Sequence, residues 1–260
     1  MALFDEETSR RIEAIHRCDD AVRRRRAVLA ALRPSPGERV LDIGTGPGFV
    51  ARELADAVGA HGRVLAVDTS EPMLALAGRR CADVPQVSLQ AADATTLPAE
   101  NASFDAAVSV QVYEYIADVD AALVELSRVL RPGGRAAVVC SDWRSLAWSA
   151  GDEARMHRML EAFSEHCAHQ ELPRTLGSRL RSVGFTTTTR EVLPQFNPIF
   201  APETYSGGLR DLVGRFVVGR RGIDEAEAAA WRDDVRRAGD EGRYFFCLNQ
   251  YLFVATKPSA

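Results

Sequence analysis

The sequence predicts an α/β protein built on one doubly wound, largely parallel sheet, and three observations lead there. Short apolar or β-branched runs alternate with helical segments from residue 39 to residue 142. Such alternation implies parallel strands joined by right-handed crossovers, with helices on both faces. A glycine-rich turn, Gly44–Gly48, follows the first run. Finally, a chain of 260 residues with 46% hydrophobic content can bury roughly 70–75% of its unfolded surface in one domain with a modest appendage.

Residues 6–33 read as one long helix, because Ile15, Cys18, Val22, Leu29 and Leu32 share an apolar arc, and "RPSPGE" ends it. Residues 1–36 are therefore expected to be an N-terminal helical cap segment on a domain spanning 37–260. The domain starts with "RVLDIG" and the helix "GFVARELADAVG", then "RVLAVD" and "EPMLALAGRR", then "VSLQAAD". It continues through "FDAAVSV" and "DVDAALVELSRVL" to "GRAAVVCSD". Residues 151–170 and 173–183 read as helices, the second closed by Gly184 at a C-cap position. "TTTTREVL" and "FCLNQYLFVATK" are strand-like in their β-branched and aromatic content. The stretch between them, 197–243, is too long for a plain connection, and "IDEAEAAAWRDDVRRAG" has a helix start at Asp224 and Glu227 and a stop at Gly239. A helical insertion is expected there, forming a lid over the substrate together with the N-terminal helix.

Composition excludes several functions. With 32 basic against 36 acidic residues and a net charge of −4, the chain lacks the positive field of a protein that tracks phosphate backbones, so no nucleic-acid partner is expected. Cys18, Cys81, Cys140, Cys167 and Cys247 are scattered without a C-x-x-C pair, as reduced packing residues in a cytoplasmic protein are. "MALFDEETSRR" has acids where a signal peptide needs an apolar core, and no apolar run reaches the roughly 18 residues of a membrane span. His166 and His169 share a helix face but have no third ligand, so no metal is expected. The "RRRR" of 23–26 reads as a solvated face, except that Arg25 and Arg26 lie on or near the apolar arc, within reach of a cofactor carboxylate or an acidic substrate.

Glycines just beyond a strand and at a helix start let a ligand approach the backbone without meeting a Cβ, and the helix N-terminus supplies free amide donors. The spacing of Gly44, Gly46 and Gly48 is G-x-G-x-G, with Phe49 where the dinucleotide fingerprint has its third glycine, which argues against NAD. Asp68 ends the second strand in "VLAVDTS", where a carboxylate can accept both hydroxyls of a ribose; Met73 follows in the next helix, and Asp93 closes the third strand in "AADATTLP".

With "LDIGTGPG" before them, these motifs resemble the small-molecule group of the class I S-adenosylmethionine-dependent methyltransferases, from about Arg39 to Asp142. The resemblance implies a Rossmann-like sheet with an antiparallel last strand, S-adenosylmethionine as cofactor and S-adenosylhomocysteine as product. It implies that Asp42 and the loop of Gly44, Thr45, Gly46 and Gly48 hold the methionyl part, and that Asp68 with Thr69 binds the ribose. Met73 would lie against the adenine, and Asp93 with Ala94 would read its amine. "FDAAVSVQVYEYIADVDAALVELSRVLRPGG" is similar to the family's fourth strand, helix and turn, which puts Gln111 and Val112 beside the cofactor. The chemistry agrees, since this cofactor carries a zwitterionic amino acid and a sulfonium but no phosphate.

In open parallel sheets ligands bind beyond the carboxyl ends of the strands. That rule selects Tyr113, Glu114 and Tyr115 after the fourth strand and Asp142, Trp143 and Trp148 after the fifth, with Tyr205 and Asn249 as further substrate contacts. Asp142 is the first candidate for a general base, weighed against a simple N-cap role. His157 or His166 is the alternative base if its helix folds over the cofactor. The expected function is methyl transfer to a small-molecule acceptor, a metabolite or natural-product intermediate, with oxygen favoured over nitrogen or carbon on the strength of Asp142. The alternatives are a non-catalytic binder of the same cofactor and a nicotinamide oxidoreductase. A monomer or homodimer is expected.

Overall fold

The N-terminal segment is two helices rather than one. In the computed structural model, which describes residues 5–149 and 151–259, α1 covers Glu6–Ile15 and α2 covers Asp19–Leu32. Cys18 takes an extended backbone between them and becomes the N-cap of α2, which sets Asp19 and Asp20 in a new first turn, where negative charge is favoured. The break frees the His16 carbonyl, and Arg25 Nη1 donates to it at 2.6 Å. A shared apolar arc cannot reveal such a break, because both halves bury the same face.

β1 (Arg39–Ile43), β2 (Arg63–Asp68), β3 (Val87–Ala91), β4 (Phe104–Val110) and β5 (Leu130–Ser141) run parallel in the order 3-2-1-4-5. The centre of the sheet, β1, β4 and β5, follows from strands that are buried on both sides. Three further strands complete it: the short β6 (Ala147–Ser149), β7 (Thr186–Asn197) and β8 (Phe245–Thr256). β8 lies antiparallel between β5 and β7, and its first residues pair with β6 just past the end of β5. The fold is thus α/β and Rossmann-like, mostly parallel, with the last strand antiparallel.

Two apolar layers sandwich this sheet. On one face α2 and α3 (Phe49–Val58) bury Val28, Leu32, Leu54 and Val58 against Val40, Val64 and Val139. On the other, α5 (Val119–Val129) and α7 (Leu172–Ser182) bury Leu123, Leu126, Leu176 and Leu180 against Leu41, Ala107 and Val138. The helix α4 (Glu71–Arg80) leads from β2 to β3.

A separate core sits at the carboxyl end of the sheet. It joins Ile15 of α1 to α6 (Glu153–Phe163), α8 (Tyr205–Phe216) and α9 (Glu225–Asp240), through Met159, Phe163, Leu209, Val213, Trp231 and Val235. Each of the last three helices starts on a side-chain cap, Asp152, Thr204 or Asp224, which satisfies a free amide of the first turn. The expected lid is therefore helical but wider than 197–243, since α6 belongs to it, and α9 packs behind α8. No helix among the described residues is long and apolar enough to cross a membrane.

Candidate active site

A cavity of about 820 Å³ opens where β1, β2 and β4 end and the helical core begins. Its floor is Gly44 and Gly46 after β1, Asp68 and Thr69 after β2, Asp93 and Ala94 after β3, and Gln111 and Val112 after β4. Its roof is Thr8, Ile12, Ile15 and His16 near α1 with Tyr205, Leu209 and Leu212 of α8. Tyr115, Trp143, Phe163, His166 and Phe216 form an aromatic wall at one end.

The three loop glycines serve three purposes. A Cβ on Gly44 would lie 2.2 Å from the Val112 side chain, and one on Gly48 would lie 2.8 Å from the Ala77 backbone of α4. Gly46 differs: nothing lies within 4 Å of where its Cβ would be, and its φ is +53°. Its amide donates to Asp68 Oδ2 at 2.8 Å, and the other oxygen of Asp68 accepts from the Ser70 amide at 2.9 Å. The loop is thus held to the end of β2 while its bare face stays turned to space.

Charge is divided across this end of the cavity. Asp42 lies beneath the loop, 2% exposed, and accepts from Thr45 Oγ1 at 2.7 Å. Burial pushes its carboxyl up to about 7, and the nearby Asp68 adds to the rise. Burial also raises Asp68, against the amides that donate to it. Across from these acids, desolvation holds His16 well below the ordinary imidazole range, helped by the guanidiniums of Arg24, Arg25 and Arg80. Arg24 is 2% exposed and makes no ion pair among the described residues. It donates to Gln111 and to Gln250, and Gln111 in turn donates to Ser141 Oγ at 3.0 Å and the Tyr205 hydroxyl at 3.2 Å. Gln111 holds a left-handed backbone, φ 57°, to enter this network, a strain that ordinary strand ends do not carry.

Such a donor set fits S-adenosylmethionine. The buried Asp42 carboxylate beneath the loop suits the methionyl ammonium, the Asp68 carboxylate at the end of β2 suits a pair of hydroxyls, and the bare Gly46 backbone suits close approach. Residues 41–138 match the family model described as "Methyltransferase domain". Over those residues the chain is similar to a class I S-adenosylmethionine-dependent methyltransferase domain. Over 107 residues it is 39% identical to a "2-phytyl-1,4-naphtoquinone methyltransferase" of Synechococcus elongatus, a match that covers 40% of this chain and 46% of that protein. The chain spans only about half the length of the curated relatives it matches. Among solved structures, a putative methyltransferase from Bacillus halodurans shares the fold with a TM-score of 0.66 at 20% identity, covering 90% of this chain and 99% of that one. The [4+2]-cyclase SpnF shares it with a TM-score of 0.64 at 22% identity, covering 92% and 82%.

Within the methyltransferase domain and its cap, the structure sorts the residues singled out from the sequence into three groups. Gly44, Gly46, Asp68, Thr69, Met73, Asp93, Ala94, Gln111, Val112, Tyr115, Trp143 and Tyr205 all line the cavity. Asp42, Thr45 and Gly48 lie just behind that lining, supporting the loop. The remaining six stand elsewhere. Asp142 accepts from the Arg144 amide as a cap and from Arg174 Nε at 3.0 Å, which turns its carboxylate away from the cavity. Tyr113 is fully buried in the sheet core, and Glu114, also fully buried, accepts from the Ser141 amide, with burial pushing it up to about 7. His157 is exposed on α6. Trp148 packs against Trp231 and Phe246 at 5.4 and 5.0 Å in the helical core, so its role is packing. The amide of Asn249 donates to Ser145 Oγ, and the residue does not reach the lining.

Sequence reasoning expected the N-terminal helix over the pocket but did not single out Thr8, Ile12 or His16 in it, and it missed Phe163. Of the arginines in 23–26, Arg25 is buried as the apolar arc implies but pairs with Glu53 at 2.7 Å, Arg26 is exposed, and Arg24 is the one tied to Gln111.

Proposed function

We propose that this protein transfers the S-methyl group of S-adenosylmethionine to a small, largely apolar, ring-bearing acceptor. The observation that carries the reading is the continuity of the cavity from the glycine and carboxylate floor to the wall of Tyr115, Trp143, Phe163 and Phe216. Gly46 and Asp42 serve the methionyl part, Asp68 with Thr69 the ribose, Asp93 and Ala94 with Met73 the adenine, and Gln111 and Val112 the sulfonium side. Methyl transfer is an in-line displacement at carbon, so what the chain contributes is alignment of nucleophile, methyl and departing thioether in a site closed to water. The bound cofactor supplies the activated methyl group. The naphthoquinone specificity in the name of the Synechococcus relative supports a ring-bearing acceptor. The earlier preference for oxygen no longer rests on Asp142, whose carboxylate is engaged elsewhere.

The test is to incubate the protein and S-adenosylmethionine with metabolite extracts and to follow both S-adenosylhomocysteine and compounds that gain one methyl group. Coupled appearance of the two is the expected result. Cofactor binding without S-adenosylhomocysteine from any extract would sink the proposal. It would favour a second reading, for which the SpnF likeness is the specific ground: a cavity of this fold turned to another reaction.

A further inference from the structure

His16 closes α1 as its C-cap and lines the roof of the cavity. Its ring stacks on Phe49, 6.1 Å between centroids and 27° between planes, and Phe49 follows Gly48 as the first residue of α3. The imidazole therefore stands beside the Gly46–Gly48 turn. Stacking covers a face of the ring and leaves open its edge, where both nitrogens lie. The His16 carbonyl takes the Arg25 guanidinium, whereas neither ring nitrogen bonds to a described residue, and neither is among the atoms sealed from solvent. Desolvation and its charged neighbours keep the ring neutral near pH 7. A neutral imidazole carries one N–H, so His16 brings a donor to this end of the cavity.

The charges around that donor select its partner. Those that act on the imidazole belong to Arg24, Arg25 and Arg80, all of them cations, while the acids beside them, Glu53 and Glu13, are paired with Arg25 and Arg80. None of the three guanidiniums is free to bind a ligand itself. Arg25 donates to Glu53 and the His16 carbonyl, Arg80 to Glu13 and the Pro47 carbonyl, and Arg24, 2% exposed, to Gln111 and Gln250. They do not line the cavity, yet they set a positive potential at its edge that repels an ammonium or a sulfonium and attracts an anion. The other cations of the lining stand elsewhere: Arg215 gives two N–H groups to Glu7, and Arg220 lies over Phe216 in the aromatic wall. What His16 suits is thus a small anion that accepts hydrogen bonds, seated next to the glycine turn. S-adenosylmethionine has one such group.

We propose that His16 donates a hydrogen bond to the methionyl carboxylate of S-adenosylmethionine. Asp42 lies beneath the turn and His16 in the roof, so the two charges of the amino acid divide between floor and roof. The identity of the ligand rests on the methyl-transfer reading.

The experiment is calorimetric titration of the full chain with S-adenosylhomocysteine and with its decarboxylated analogue. The unaltered protein should bind S-adenosylhomocysteine at least about tenfold more tightly, as a hydrogen bond to a charged group implies. His16→Phe keeps the stack on Phe49 and should shrink that gap by about tenfold, with affinity for the analogue unchanged. A merely structural role would weaken both ligands alike. Histidine 15N spectra of the unaltered protein give a second reading that needs no phenylalanine variant: the imidazole signal missing from His16→Gln should move on addition of S-adenosylhomocysteine and stay in place with the analogue. No gap in the unaltered protein, a gap that survives His16→Phe, an equal loss of both ligands, or an unmoved imidazole signal would each overturn the proposal. If S-adenosylhomocysteine fails to bind at all, the methyl-transfer reading falls and this proposal with it. Binding that leaves the His16 signal unmoved keeps that reading and removes His16 from it.

Discussion

Gly46 and Asp42 show how single residues divide the work of one loop. A side chain at Gly46 would enter the only bare face the loop turns to open space, and would do so from a backbone that disfavours it. Gly46→Val should therefore abolish binding of S-adenosylmethionine in calorimetric titration while circular dichroism reports an intact fold. Asp42 carries a sign that melting curves can read. Its carboxyl, pushed up to about 7 from 3.8, is more easily ionised in the unfolded chain, so its contribution to stability is full below about pH 4 and is lost as the pH rises through 7. Asp42→Asn should melt nearer the unaltered protein at pH 4 and above it at pH 8, the relative gain being a few kcal/mol at about 1.36 kcal/mol per pKa unit. A gain of equal size at both pH values would reassign the effect to packing. Asp142, by contrast, is a cap: Asp142→Ala should cost about 0.5–2 kcal/mol in denaturant melts and leave cofactor affinity unchanged.

At the scale of elements, what the sequence made legible was local. The glycine turn, the acids at the ends of β2 and β3, and the capped start of α9 each declare themselves within a few residues, because turn geometry and free helix amides are short-range demands. The floor of the cavity could be read for that reason. Parts of the roof and wall could not, such as Thr8 and Ile12 of α1 and Phe163 at the end of α6, which only burial across distant parts of the chain brings together. Asp142 was misread for a related cause: only the fold brings Arg174 to it from α7. α9 offers the test of the helical core. Trp231 is fully buried against Trp148, and its indole N–H points to Met156 Sδ at 3.4 Å. Trp231→Ala should cost about 3–5 kcal/mol of stability in urea unfolding. A cost below about 1 kcal/mol would mean that α9 is not part of the packed body.

For the molecule as a whole, the sheet core and the helical core meet around one space, and α1 closes it. Two ion pairs tie that helix down: Glu7 to Arg215 of α8 at 2.7 Å, and Glu13 to Arg80 of α4 at 2.7 Å. The consequence concerns traffic. If ligands pass the roof beside α1, release of S-adenosylhomocysteine requires that helix to lift against these two ion pairs. Contacts of this kind are worth at most about 1 kcal/mol each where water reaches them, and salt weakens them. Release of S-adenosylhomocysteine, followed by stopped flow, should then quicken by up to about fivefold as salt rises from low to roughly 0.5 M, and Glu7→Gln should reach much of that speed at low salt. A release rate indifferent to both would mean that the exit lies elsewhere. A rate that follows salt and Glu7→Gln together would place the barrier to release in the parting of α1 from α8, so that charges on the outside of the molecule govern how long a ligand stays within it.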